Sequence, residues 1–178
     1  MKNIFLATFF LANIMCMNAQ LRVGFKAGPN FSNLDGIGFD TKMRTGFHFG
    51  LAAEAKLPNN FALQPEVLYS SQGAKVTLTA VDEIKYDYIT VPVLLKYYLL
   101  SDILSIDAGP QFSFLVSDRN NFDPGNSATF DFAALGGIGI NLGDHVFLQG
   151  RYVIGLTDAS SNANVTNKVI QISAGYFF

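Results

Sequence analysis

The sequence predicts an all-β chain, an eight-stranded antiparallel up-and-down transmembrane β-barrel. Three observations carry this expectation. Apolar and polar residues alternate with period 2 along nearly the whole chain after residue 20, as strands with one apolar face require. Tight turns and longer polar stretches take turns in connecting these segments. The composition is hydrophobic and poor in charge, with only 15% charged residues, against about 25% in globular chains. No apolar run after residue 20 is long enough for a membrane helix, which needs about 20 residues. A closed barrel is the other way for a chain to cross hydrocarbon with its backbone bonded.

Residues 1–19 read as a cleaved export signal. Lys2 gives a short basic start, Ile4 to Met17 is apolar except for Thr8 and Asn13, and Ala19 supplies a small residue before the cut. Residues 20–178 form the barrel, one domain's worth of chain. The signal holds one of the 12 basic residues and none of the 14 acidic ones, so cleavage moves the net charge from −2 to −3. That acidic balance argues against a nucleic-acid partner. Cys16, the only cysteine, leaves with the signal, so the barrel has no disulfide or thiolate chemistry.

Each strand follows from its alternation. Strand 1 sets Leu21, Val23, Phe25, Ala27 and Phe31 against Arg22, Gly24, Lys26, Gly28 and Asn30. Strand 2 sets Phe47, Phe49, Leu51, Ala53 and Ala55 against His48, Gly50, Glu54 and Lys56. In strand 3, Phe61, Leu63, Val67 and Tyr69 oppose Gln64, Glu66, Ser70 and Gln72. In strand 4, Ile89, Val91, Val93, Leu95 and Tyr97 oppose Thr90, Lys96 and Tyr98. Strand 5 places Leu104, Ile106, Ala108, Phe112 and Phe114 opposite Ser105, Asp107, Gln111 and Ser113. Strand 6 places Phe130, Phe132, Ala134, Ile138 and Ile140 opposite Asp131, Gly137, Gly139 and Asn141. Strand 7 alternates Val146, Leu148, Tyr152 and Ile154 with Gln149, Arg151 and Gly155. Strand 8 alternates Ile170, Ile172, Ala174, Tyr176 and Phe178 with Gln171, Ser173 and Gly175. No charge falls on the apolar face of these segments, as lipid contact demands, because a buried Arg or Lys at the midplane costs about 2–4 kcal/mol.

The tight turns are Pro58-Asn59-Asn60, Ser101-Asp102 and Gly143-Asp144-His145, and the long stretches lie near Asn33–Met43, Gly73–Glu83, Ser117–Ser127 and Thr157–Asn167. Both termini are then expected on the periplasmic side. Pro29, Pro65, Pro92 and Pro110 fall inside strands of a sheet without edges, so bulges or local breaks are expected there. Ala27-Gly28-Pro29-Asn30-Phe31-Ser32 also repeats as Ala108-Gly109-Pro110-Gln111-Phe112-Ser113, and Leu63-Gln64 as Leu148-Gln149. The chain therefore reads as two four-strand halves, with Glu66 and Arg151 at equivalent positions. The apolar parity is assigned to lipid rather than to a soluble core. The polar parity is rich in Gly, Ser, Gln and Ala, with too few charges for a water-facing surface, the apolar faces end in aromatics, and the chain ends on an aromatic.

These residues resemble the small outer-membrane β-barrel family of the Bacteroidota, the PorT-like or porin-family barrels. The resemblance rests on Gly24-Phe25-Lys26-Ala27-Gly28, on Gln64-Pro65-Glu66-Val67-Leu68-Tyr69-Ser70 with Gln72-Gly73, and on Ile89-Thr90-Val91-Pro92-Val93-Leu94-Leu95-Lys96-Tyr97. It implies residence in the cell outer membrane more than any activity. Gln171, Tyr176 and Phe178 resemble the terminal signal read by the barrel-assembly machinery, with Ser173 in place of the usual Gly. Expected partners are outer-membrane lipid, that machinery during insertion, and an extracellular ligand reached through the loops.

An eight-stranded barrel is just wide enough for its side chains to fill it. Arg22, Lys26, Lys56, Lys96 and Arg151 with Glu54, Glu66, Asp107, Asp131 and His48 therefore form the expected lumenal charge network, because unpaired buried charge is costly. The expected function is a plugged barrel with a structural or loop-mediated interaction role. The alternatives are a small porin and, least favoured, a lipid A-modifying enzyme. Acyl transfer needs a nucleophile beside a base. Only His48 and His145 are available, the His-x-Ser pattern of barrel deacylases is absent, and no catalytic residue, cofactor or metal is expected.

Overall fold

The computed structural model describes residues 21–35, 41–76, 83–100, 102–118, 130–156 and 166–178. Residues 1–19, the expected signal, and the central parts of the four long connections lie outside the described residues. Eight antiparallel strands run in chain order: β1 (Leu21–Asp35), β2 (Thr41–Lys56), β3 (Phe61–Val76), β4 (Glu83–Leu99), β5 (Leu104–Asp118), β6 (Phe130–Leu142), β7 (Val146–Gly155) and β8 (Thr166–Phe177). Each pairs with the next, and β1 pairs with β8 from Gly24↔Phe177 to Asp35↔Thr166, so the sheet closes.

The short turns share one end with the termini. Asn59 and Asn60 both take positive φ, 61° and 64°, the backbone twist that suits a tight hairpin and that Asn tolerates. Leu57 N–H donates to Phe61 O at 2.7 Å to close this turn. Gly143, at φ 77°, turns β6 into β7.

The four strand prolines produce local breaks and leave the register unchanged. β1 pairs with β8 as Ala27↔Ala174 and then as Asn30↔Gln171, skipping Gly28-Pro29 in step. The same two-residue skip meets Pro65 on its β2 side, Pro92 on its β3 side and Pro110 on its β4 side. On the other side each proline stays in its ladder, as Pro29↔Phe47, Pro65↔Val93, Pro92↔Gln111 and Pro110↔Ala134. A proline lacks only its N–H, so it fails one neighbour and serves the other. Glycine precedes two of them. A Cβ on Gly28 would overlap the Ile172 carbonyl oxygen, and one on Gly109 the Val93 carbonyl oxygen. Glycine thus lets the strand close onto a carbonyl at the break. The true register shifts lie elsewhere, between Met43 and His48 and between Asp87 and Tyr88.

The apolar parity faces outward. Leu51 is 60% exposed and Ile172 53%, an exposure that fits hydrocarbon rather than water. Aromatics collect in two belts on this face. At the short-turn end Phe25, Tyr176 and Phe178 lie within 6.2 Å of one another, and Phe61 packs on Tyr97 at 5.0 Å. Toward the long-loop end Phe47 and Phe49 pack on Tyr69, while Phe112 packs on Phe130 and Phe132.

Ile172→Arg places a charge near mid-height of β8. It is expected to lower unfolding stability in lipid vesicles by about 2–4 kcal/mol, as read by urea titration. A loss below about 1 kcal/mol contradicts lipid contact at that face.

Candidate functional site: the lumen

The opposite parity fills the barrel with polar side chains, most of them fully buried. At the short-turn rim Lys56 Nζ lies 2.6 Å from Asp102 Oδ2. Arg22 donates to the Asp144 carbonyl at 2.9 Å. These residues with Asn141 and Gly143 line a hollow of about 240 Å³. Just inside, Phe147 and Phe177 stack at 4.6 Å, with the Arg22 guanidinium 4.7 Å from the Phe177 ring centre. Glu54 sits at this level and accepts from Arg22 at 2.5 Å, Lys96 Nζ at 2.9 Å and the Tyr98 hydroxyl at 2.6 Å.

The next layer draws on the odd-numbered strands. Arg151 of β7 reaches across the lumen to Glu66 of β3 and donates to both carboxylate oxygens, at 2.7 and 2.6 Å. Such a planar two-point fork is the strong form of the ion pair. Lys26 of β1 lies 3.5 Å from the same carboxylate, and Gln64 donates to it at 2.5 Å. Gln149 ties the layer together. It accepts from Lys26 at 2.9 Å and from Arg151 at 2.6 Å, and donates to Asp107 of β5 at 2.6 Å. Lys96 also donates to Gln64 at 2.9 Å, which joins the Glu54 and Glu66 centres.

Above this layer neutral polar groups surround His48, and Arg44 lies further toward the long-loop end. His48 contacts Asn30 Oδ1 at 2.7 Å and Ser173 Oγ at 2.8 Å. Asn30 also donates to Ser70 Oγ at 2.9 Å. Ser32 exchanges hydrogen bonds with the Gly73 backbone, and Arg44 donates to the Gln72 carbonyl at 2.9 Å. Leu94, Ala133, Leu135, Val153 and Val169 form an apolar patch inside the same barrel.

Of the ten charged or titratable residues the sequence singles out, Arg22, Lys26, Glu54, Glu66, Lys96, Asp107 and Arg151 come together in one connected network. Three stand apart. Lys56 lies at the rim on Asp102, because β2 ends there. His48 joins the neutral layer. Asp131 is buried near the start of β6, opposite Ser113. Gln171 is fully buried in the lumen, while Tyr176 and Phe178 lie on the outer face. Sequence reasoning did not single out Asn30, Gln64, Gln149 and Ser173 as site residues. The Leu-Gln repeat already pointed at Gln64 and Gln149. Asn30 lay in the Ala-Gly-Pro repeat and Ser173 in the terminal segment, but neither pointed to the lumen before the strands were set in register. Among the described residues no group of His, Cys, Asp and Glu is placed to hold a metal ion.

Residues 16–161 match the model of the outer membrane protein beta-barrel domain. The chain belongs to that family. The barrel domain also resembles solved structures at the level of fold. Neisserial surface protein A shares 14% identity over 88% of this chain and 97% of its own, with a TM-score of 0.63. Ail, the attachment invasion locus protein of Yersinia pestis, shares 14% over 88% and 98%, with a TM-score of 0.55. OprG of Pseudomonas aeruginosa shares 13% over 89% and 94%, with a TM-score of 0.52. No curated protein matches the sequence. The barrel domain is thus an outer-membrane protein, and its apolar belt meets outer-membrane lipid.

Arg151→Leu leaves Glu66 with Lys26 as its one cationic partner among the described residues. Breaking one side of a buried pair costs about 3–5 kcal/mol, whereas replacing both sides with apolar residues is often neutral. The double variant Glu66→Leu/Arg151→Leu should therefore recover part of the stability that Arg151→Leu loses in urea unfolding. Additive losses would mean that the two residues do not interact.

Proposed function

We propose that this barrel is a sealed outer-membrane scaffold that works through its long loops, holding a structural or interaction role at the cell surface. The observation that carries the reading is the Arg151–Glu66 fork, which spans the lumen between opposite strands, above the Phe147–Phe177 stack. A side-chain plug bonded across the lumen at these levels bars through passage and leaves function to the long-loop end. The finer likeness to the PorT-like barrels of the Bacteroidota belongs to this proposal. So do export by a cleaved signal over residues 1–19, placement of both termini in the periplasm, and reading of Gln171, Tyr176 and Phe178 by the assembly machinery.

A structural neighbour supports a loop-mediated role: Ail of Yersinia pestis is known in complex with the heparin analogue sucrose octasulfate. The loop chemistry here differs from what a polyanion needs. The long segments between the strands carry Asp40, Asp82, Asp123 and Asp158 against Arg119. That acidic excess repels sulfated glycans and suits a neutral or cationic ligand.

Refolded barrel in planar bilayers should show no steady single-channel openings. Long-lived openings of uniform size would overturn the sealed reading in favour of a small porin.

A further inference from the structure

We propose that Ser173 is an activated nucleophile inside the lumen, able to hydrolyse small acyl esters that enter from the long-loop end. This goes beyond the scaffold reading and rests on a separate cluster of side chains. Ser173 on β8, His48 on β2 and Asn30 on β1 form one relay. Its assembly depends on the gap at Gly28. His48 pairs across from Gly28, and Gly28 lies in the step the ladder skips beside Ser173. With no side chain on Gly28, the imidazole passes over β1 and reaches the hydroxyl on β8.

The hydrogen bonds fix every role. Asn30 Nδ2 faces the carbonyls of Phe47 and Ser71, both at 3.2 Å. Carbonyl oxygens only accept, so the amide nitrogen must point at them and Asn30 Oδ1 must point at His48. His48 Nδ1 at 2.7 Å from that oxygen therefore carries the proton. Nε2 is left bare, and the Ser173 hydroxyl donates to it at 2.8 Å. A hydroxyl on a bare imidazole nitrogen, with the other nitrogen held by an amide oxygen, is the arrangement of nucleophile, general base and positioning residue that acyl transfer needs.

A second, independent observation points to a small polar occupant beside it. Gln171 precedes Ser173 by two residues on the same inward face and pairs across from Asn30. Both of its amide atoms are buried without a partner, as is Gln111 Oε1. Unsatisfied buried amides are rare, and their ordinary partner is a buried water or another small polar molecule. Gln171 Nε2–H is then available to a carbonyl oxygen as negative charge develops on it. Ser173 is only 1% exposed, so only a molecule small enough to displace buried water reaches it.

In the proposed reaction Ser173 Oγ bonds to the carbonyl carbon as its proton passes to His48 Nε2. The carbon–alkoxy bond then breaks, and the leaving alkoxide takes that proton. Water then bonds to the acyl carbon as its proton passes to the same nitrogen, the carbon–Oγ bond breaks, and Ser173 Oγ takes that proton as the acid leaves.

The test uses refolded barrel with diisopropyl fluorophosphate, followed by peptide mass mapping, and with p-nitrophenyl acetate. Heat-modifiable gel migration reports folding of each variant. The expected result is one diisopropylphosphoryl group on Ser173, a burst of p-nitrophenolate, loss of both in Ser173→Ala, and labelling slowed about 100-fold or more in His48→Gln. Asn30→Asp, which keeps an oxygen on Nδ1–H, should label faster than Asn30→Leu. Folded wild-type barrel without an adduct on Ser173 overturns the proposal. So does folded His48→Gln that labels at the wild-type rate, or labelling without ester turnover.

Discussion

Backbone N–H and C=O groups in hydrocarbon have no water to bond, and the whole structure answers that constraint. A sheet meets it only by closing on itself. Here closure is the β1–β8 ladder. Once it forms, the two parities of every strand have separate fates. One meets lipid and must be apolar, and the other is enclosed and must satisfy itself. The prolines test this constraint, because each withdraws a donor from a sheet with no spare edge. The barrel tolerates them because each break is confined to one seam and two residues, with the register intact on both sides.

The enclosed parity is organised by the internal repeat with its charges reversed. Lys26 and Asp107 occupy equivalent positions of the two halves, and so do Glu66 and Arg151. Equivalent strands of an eight-stranded barrel face each other, so the reversal turns a like-charge clash into attraction. It also gives the network a use in specifying the fold. A slip of β7 by two residues would keep the apolar parity outside but would part Arg151 from Glu66, and a buried unpaired charge is expensive. Parity alone fixes which face is outside, and the cross-lumen fork adds a condition on register.

Strand positions, the three tight turns and the outward face were legible because period-2 alternation is local. The equivalence of Glu66 and Arg151 was legible because a repeat carries long-range information. Other features were hidden where both parities are apolar. Val146-Phe147-Leu148 and Tyr176-Phe177-Phe178 look uniform in sequence, yet Phe147 and Phe177 turn inward and stack. Val93-Leu94-Leu95 likewise conceals the inward Leu94. Lys56 matched the lumenal parity but lies where β2 leaves the barrel, so depth rather than parity decided its place. The relay through Asn30, His48 and Ser173 was beyond reach of the sequence, because its members lie on three strands and meet only through the register around Gly28.

Single cysteines introduced along β7 and β8 in a Cys16-free background, spin-labelled in lipid vesicles, test the central claim most directly. Collision rates with lipid-dissolved oxygen should alternate residue by residue, high at Leu148, Ile170, Ile172 and Ala174, and low at Gln149, Gln171 and Ser173. Uniform rates, or maxima at the glutamines, would contradict a barrel with its apolar parity in lipid and its charges enclosed.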